Sequence, residues 1–120
     1  MIIEGGIVNW SNNVPVTSHW SYNPDVPLVI HVAFEGHSKW NFSLDLFQEA
    51  FTSPVEQPHG FGDVVVDLVE EDTYIHLSNG QVSASVVFPT EKIREFLDQI
   101  DEVDPEGIIS RELDRFLETL

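Results

Sequence analysis

Residues 28–47 read LVIHVAFEGHSKWNFSLDLF, and their pattern predicts two strands, a turn and the start of a helix in direct succession. Between Leu28 and Phe34 the even-numbered side chains are all apolar, so they share one face of a strand. Residues 35–37 (EGH) predict a hairpin turn, and residues 39–42 predict the returning strand. The stretch therefore predicts an antiparallel pair of strands that leads into a helix.

The predicted helix begins after Ser43, a residue type that commonly caps helices. Leu44, Phe47 and Phe51 lie at helical spacing and give this helix one apolar face. The next residues, 52–62, contain two prolines and two glycines, and they are predicted to form an irregular loop.

Strand-like patterns recur on both sides of this stretch. Further strands are predicted over residues 2–8, 14–22, 64–69, 74–78 and 81–88. Asn79-Gly80, between the last two, predicts a two-residue type I′ turn, because both central positions of that turn need positive φ. Residues 1–89 therefore predict a largely antiparallel sheet of about six or seven strands.

The remaining residues, 90–120, predict a helical tail. Thr90 can cap a helix, and apolar residues recur at helical spacing over 93–100 and again over 109–120. The chain is thus interpreted as one α+β domain over residues 1–120, with one short helix after the first strands and two C-terminal helices. The two apolar stripes also favour a homo-oligomer, since one small sheet has limited surface to cover them.

Charge and composition exclude several classes of protein. The chain of 120 residues has 21 acidic and 5 basic residues, a net charge of −16, and no cysteine. Nucleic-acid binders and proteins that dock on anionic lipid need clustered Lys and Arg, so neither class is expected. No apolar run reaches the length of a membrane span, and no basic residue precedes the apolar N-terminal residues. We expect a cytoplasmic protein without direct membrane insertion.

Candidate catalytic and metal-binding patterns are weak in this sequence. His31 and His76 lie in the middle of predicted strands, where they could meet as a metal or acid–base pair, although polar positions on a sheet face are the favoured interpretation. The chain has no G-x-S-x-G motif for a serine nucleophile. Residues 60–63 (GFGD) lack the third glycine and the helix of a phosphate-binding loop. We therefore expect no enzymatic activity, no catalytic residue, no cofactor and no metal.

Two motifs in this order resemble a known family. Residues 40–47 (WNFSLDLF) are similar to the W-x-F-x-R-D-L-L segment of the SsgA-like proteins, with Leu44 in the place of the family's usual Arg. Residues 58–64 (PHGFGDV) are similar to the P-x-G-x-G-D-V motif of that family, and residues 104–107 (DPEG) resemble its V-P-x-G helix stop. With the surrounding strands and helices, the resemblance covers residues 14–120. SsgA-like proteins are actinobacterial regulators of sporulation and cell division.

The resemblance implies a bent sheet wrapped around helices, similar to the Whirly-type binders of single-stranded nucleic acid. It also implies a trimer, no enzymatic activity, and an adaptor that helps to place the division protein FtsZ or another SsgA-like protein at the septum. The expected partner-binding residues are Trp40, Phe42, Phe47, Gly60, Phe61, Gly62 and Asp63. Two alternatives stay open. One is a Whirly-like nucleic-acid-binding module, which the charge disfavours, and the other is a phage-borne relative that interferes with host division.

Overall fold

The computed structural model describes residues 1–9, 12–53, 58–78, 80 and 83–103, and it confirms the α+β class. Every strand pairing is antiparallel. The elements in chain order are β1 (Ile2–Ile7), β2 (Val14–Tyr22), β3 (Val29–Phe34), β4 (Lys39–Ser43), α1 (Leu44–Thr52), β5 (His59–Phe61), β6 (Val64–Val69), β7 (Asp72–Ser78), β8 (Ser83–Pro89) and α2 (Thr90–Val103).

The sheet consists of two halves that meet at its centre. The strand order is β4-β3-β2-β1-β8-β7-β6-β5, so β1–β4 form a first half-sheet and β5–β8 a second, each followed by a helix. The halves join where Gly6 pairs with Val87 and Ile7 with Val86. Gly5 permits this approach, because a Cβ there would lie 2.5 Å from the carbonyl oxygen of Val87. The first strand of the chain is therefore central, and β4 and β5 are the edges.

The sheet curls, as the resemblance predicted. Helix α1 directly follows edge strand β4, yet it contacts β5 and β6 at the opposite end of the strand order. A helix of nine residues is only about 14 Å long at 1.5 Å per residue, so it cannot span a flat sheet of eight strands. The two edges therefore approach each other around α1.

Two details of the sheet differ from the sequence prediction. The described residues form eight strands because residues 59–61, predicted as loop, form β5; three residues are too few for alternation to be recognised. Ser78 pairs with Ser83, whereas the predicted two-residue turn would pair Ser78 with residue 81. Residues 79, 81 and 82, on which that predicted turn depends, lie outside the described residues. A shift of two residues leaves every side chain on the same face, and alternation alone therefore could not fix this register.

The core fills the concave face of the sheet around Trp20, which is fully buried. Phe88 of β8 meets Trp20 edge to face with ring centroids 5.6 Å apart, and Phe96 of α2 lies at the same distance. The indole Nε1 donates a 2.8 Å hydrogen bond to Ser18 Oγ, which itself donates to the carbonyl of Ile3 at 2.7 Å. The buried polar atoms at the core's centre are thus satisfied, and both half-sheets share one core.

The described helices agree with the sequence patterns. Ser43 caps α1 as predicted, since its Oγ accepts a hydrogen bond from the Leu46 amide at 3.3 Å. In α2 the predicted apolar stripe is buried at Ile93, Phe96 and Ile100. The predicted second C-terminal helix and the stop at residues 104–107 lie outside the described residues. Among those described, neither helix has the length and apolar character needed to cross a bilayer.

Candidate functional site

A groove in the described surface lies where the two sheet edges approach each other. It has a volume of about 500 Å³, and we call it the edge groove. Its walls include Asn41 and Phe42 of β4, Asp45, Leu46 and Glu49 of α1, and Gly60 of β5. The groove therefore unites the two sequence motifs that carried the resemblance, residues 40–47 and 58–64, although ten residues separate them in the sequence.

Local structure explains why α1 forms one wall of the groove. The amide of Leu44 still pairs with the carbonyl of Leu28 at 3.1 Å, so the strand pairing continues to the first residue of the helix. The Ser43 cap then starts the helix within one residue of the strand. This abrupt change leaves no loop between β4 and α1. Asp45 and Glu49, one helical turn apart, consequently lie beside the sheet edge.

Backbone hydrogen-bonding groups line both sides of the edge groove. The bonds Leu44 N–Leu28 O and Phe34 N–Ser38 O show that even-numbered residues of β4 pair with β3. Antiparallel pairing alternates, so the N–H and C=O of Asn41 point away from β3, toward the open edge.

The same reasoning applies across the groove. Asp63 and Ser78 form a hydrogen-bonded pair between β6 and β7, so the even-numbered residues of β6 pair with β5. The backbone groups of Gly60 therefore also face the open edge. No described strand pairs with the outer edge of β4 or of β5.

The electrostatic character of the edge groove is acidic. The side chains of Asp45 and Glu49 are both exposed. Within the part of the chain that the structure describes, no Lys, Arg or His lines the groove. Lys39 belongs to the same strand as Asn41 but lies outside the lining. The groove thus presents apolar walls, two carboxylates and unpaired backbone groups together.

The expected partner-binding residues separate into core and surface positions. Phe42 and Phe47 are 1% and 0% exposed and pack on each other with centroids 5.5 Å apart, so both belong to the core. Trp40 is half-buried and lines a second groove of about 300 Å³ with Phe34 and Leu77. The structure therefore does not bring Trp40 to the edge groove, and any effect of Phe42 or Phe47 on a partner would act through packing.

The residues of the second motif lie on and next to β5. Gly60 faces the edge groove, whereas Gly62 has a φ of +61° in the turn to β6. Asp63 is exposed, and its carbonyl accepts a 3.0 Å hydrogen bond from the Ser78 amide. The backbone of Phe61 pairs with Val64, and its side chain lies outside the described atoms. The turn thus has a structural role that explains its glycine. Whether these residues contact a partner stays a prediction.

The histidine pair considered from the sequence does not form. His31 on β3 and His76 on β7 are separated by three strands of the sheet. Nδ1 of His31 lies 2.9 Å from the Asn41 side-chain oxygen, and Nδ1 of His76 lies 2.6 Å from Ser85 Oγ. The described residues hold no group of three potential metal ligands.

Sequence reasoning did not single out three residues of the edge groove. In the sequence, Asn41 is one polar residue within a strand-like pattern, and Asp45 and Glu49 are acidic residues outside the apolar stripe of a short helix. The available signal was the direct succession of strand, cap and helix, which places the first helical turn beside the strand edge. That signal alone does not define a groove, because the opposite wall is β5 and the sequence does not show that β5 lies near the edge of β4.

Comparison with known proteins decides the family. A family model described as "Streptomyces sporulation and cell division protein, SsgA" matches residues 16–108, which is most of the chain. This chain belongs to the SsgA family. The resemblance based on the two motifs is thereby confirmed, and the match includes both walls of the edge groove.

Solved structures of SsgA-like proteins share the fold. SsgB, from work on mutations that correlate with longitudinal cell division during sporulation of Streptomyces coelicolor, superposes with a TM-score of 0.80 at 24% identity, covering 92% of this chain and 91% of that chain. An SsgA-like sporulation-specific cell division protein from Thermobifida fusca superposes with a TM-score of 0.79 at 22% identity, covering 99% and 90%. No curated protein matches the sequence. At these identities the structures establish the fold of an SsgA-family protein.

Proposed function

We propose that this SsgA-family chain is a non-enzymatic adaptor of septation and cell division that acts through protein–protein contacts. Membership of a family of sporulation and cell division proteins carries the proposal. As the resemblance implied, the proposed partners are FtsZ or another SsgA-like protein. The proposed location is the cytoplasm, with recruitment to the septum through those partners.

The structure supports a rigid adaptor. Trp20 and the rings around it hold both half-sheets on one core, so the surface keeps its shape when a partner binds. With a net charge of −16, long-range attraction to an acidic partner is absent. Most of the affinity must then come from short-range contacts, such as those of the half-buried Trp40 in the second groove. We therefore expect a complex that persists at moderate salt.

Homo-oligomerisation, with a trimer favoured by the resemblance, is the second part of the proposal. The apolar stripe over residues 109–120 supports it, because such a stripe needs a covering surface. Light scattering of the purified protein at high micromolar concentration is expected to give the mass of a trimer. A monomer throughout that range would contradict this part.

The adaptor proposal is tested by binding to purified FtsZ. The protein is immobilised and mixed with FtsZ or with a second SsgA-like protein from the same host, at low and at moderate salt. We expect capture of at least one of them under both conditions. Failure to capture either one at both salt concentrations would refute the proposed partners.

The same preparation tests the nucleic-acid alternative. The described residues contain three basic side chains of the Lys and Arg type, of which Lys39 lies on β4 and the other two, Lys92 and Arg94, lie on α2. Phosphate recognition needs several such groups together. We expect no binding of single-stranded DNA at physiological salt. A Kd tighter than about 10⁻⁶ M would favour the Whirly-like module instead.

A further inference from the structure

The outer edge of β4 is a template on which another strand can form. The backbone N–H and C=O of Asn41 point to the edge groove, and the exposed Gly60 presents its own groups from the opposite wall. An edge with unpaired backbone groups accepts an extended peptide by adding it to the ladder, as many peptide-binding domains do. The groove leaves room for such a peptide beside β4, since its volume is about 500 Å³.

The walls of the edge groove determine which side chains a strand can place there. The exposed Leu28 gives apolar surface, with the buried Leu46 beneath the groove, whereas Asp45 and Glu49 give two exposed carboxylates. No described basic group in the groove neutralises these carboxylates. Side chains two positions apart on a strand point the same way. One strand can therefore place an apolar and a basic side chain in the groove together.

We propose that the edge groove binds an extended segment of a partner protein, which adds to β4 as a further strand. The segment places an apolar side chain against Leu28 and, two positions away, a Lys or Arg side chain against Asp45 and Glu49. This inference rests on the proposed adaptor function and deepens it, because it names the binding surface and the chemistry of the bound segment.

Charge complementarity favours a partner segment over a second copy of this chain. A second copy could pair its own β4 edge with this one, but that strand has a single basic side chain, Lys39, within a chain of net charge −16. The other described bases, Lys92 and Arg94, belong to helix α2 and are not available as strand residues. Self-pairing through β4 is therefore the rival outcome of the test.

The first experiment isolates the backbone donor of Asn41. Both Asn41→Pro and Asn41→Ala lose the Asn41 side chain. Only Asn41→Pro also loses the backbone N–H, which points outward and makes no hydrogen bond to β3. Random twelve-residue peptides displayed on phage are selected on the wild-type protein, and fluorescein-labelled versions of the enriched peptides are titrated into each variant. We expect Asn41→Pro to weaken binding about tenfold or more, and Asn41→Ala to change it by less than about threefold.

The second experiment isolates the carboxylates and does not depend on the folding of the proline variant. The double variant D45N/E49Q removes two charges from the groove, and E91Q/D98N removes two from α2. Asp45 and Glu91 both lie in the first turn of a helix, so the two variants lose comparable helix-dipole stabilisation. We expect D45N/E49Q to weaken peptides that contain Lys or Arg by about two- to fivefold per charge at low salt. E91Q/D98N should leave their affinity unchanged.

The outcomes separate this inference from the proposed function. If no peptide is enriched, or if enriched peptides bind Asn41→Pro and D45N/E49Q as well as wild type, the inference is overturned. If Asn41→Pro changes only the oligomeric state, β4 pairs with a second copy and the inference is likewise overturned. If Asn41→Pro and D45N/E49Q both capture FtsZ as well as the wild type does, binding at the edge groove is refuted and the adaptor function stands. If both variants weaken peptide binding but the wild type does not capture FtsZ, binding at the edge groove stands and FtsZ is refuted as the partner.

Discussion

Replacement of Gly5 by alanine tests how tightly the two half-sheets approach each other. A Cβ on Gly5 would lie 2.5 Å from the carbonyl oxygen of Val87 and 2.6 Å from Cε1 of Phe88. Neither neighbour can move freely, because the oxygen belongs to the backbone of β8 and the fully buried Phe88 ring packs on Trp20. The substitution therefore forces β1 and β8 apart.

The sign of the effect distinguishes this reasoning from a propensity argument. Where space is available, Gly→Ala in a strand stabilises by about 0.5–1 kcal/mol, because glycine loses more backbone entropy on folding. Overpacking in a rigid core instead costs about 1–3 kcal/mol. We expect Gly5→Ala to lower the free energy of unfolding by about 2 kcal/mol. With a urea slope of about 1.5 kcal/mol/M, the unfolding midpoint falls by about 1.3 M.

Gly60→Ala is the matched control, measured in the same urea titration by Trp fluorescence. A Cβ at Gly60 would lie 3.4 Å from Cγ2 of Val65, which is an ordinary contact. Because alanine fits there, we expect its midpoint to lie about 0.3–0.7 M above that of the wild type. A Gly5→Ala protein as stable as Gly60→Ala, or more stable than wild type, would refute the close approach of β1 and β8 on which this prediction depends.

Four further single substitutions and one double variant test the buried polar groups and the cap, each by urea unfolding. Ser18→Ala leaves the indole N–H of the buried Trp20 without its acceptor, and we expect a loss of about 1–3 kcal/mol; no loss would contradict the hydrogen bond. Thr73 and Thr90 share a buried 2.8 Å hydrogen bond, so each single change to Val should destabilise the protein. The double change should cost less free energy of unfolding than the sum of the two single changes. Additive costs would argue against the hydrogen bond. Ser43→Ala removes the cap of α1 and should cost about 1 kcal/mol, and an unchanged midpoint would mean that the cap is not formed in solution.

The local part of the fold was predictable from the sequence because its signals are short-range. Alternation from Leu28 to Phe34 and the cap at Ser43 both depend on neighbouring residues, and the structure confirms both. The short strand β5 and the register of β7 on β8 were not predictable in the same way. Three residues carry no recognisable period, and a two-residue slip preserves the faces of the sheet.

The candidate site was less predictable because it depends on long-range geometry. Aromatic residues such as Phe42 and Phe47 are equally compatible with a core and with an interface, and only the curl of the sheet shows that they are buried. Asp45 and Glu49 have no distinguishing sequence pattern. They become notable only when β5 returns to the edge of β4, and no local rule specifies that return.

The central position of β1 has a consequence for synthesis of the chain. Its neighbour β8 emerges from the ribosome only after most of the other strands. Until then Trp20 lacks the rings of Phe88 and Phe96, and the nascent first half-sheet exposes apolar surface. Closing so long a loop is a slow step in folding, and such intermediates aggregate readily. Completion of this protein therefore depends on its last described strand and helix, and truncation before Pro89 should yield an insoluble chain rather than a smaller folded domain.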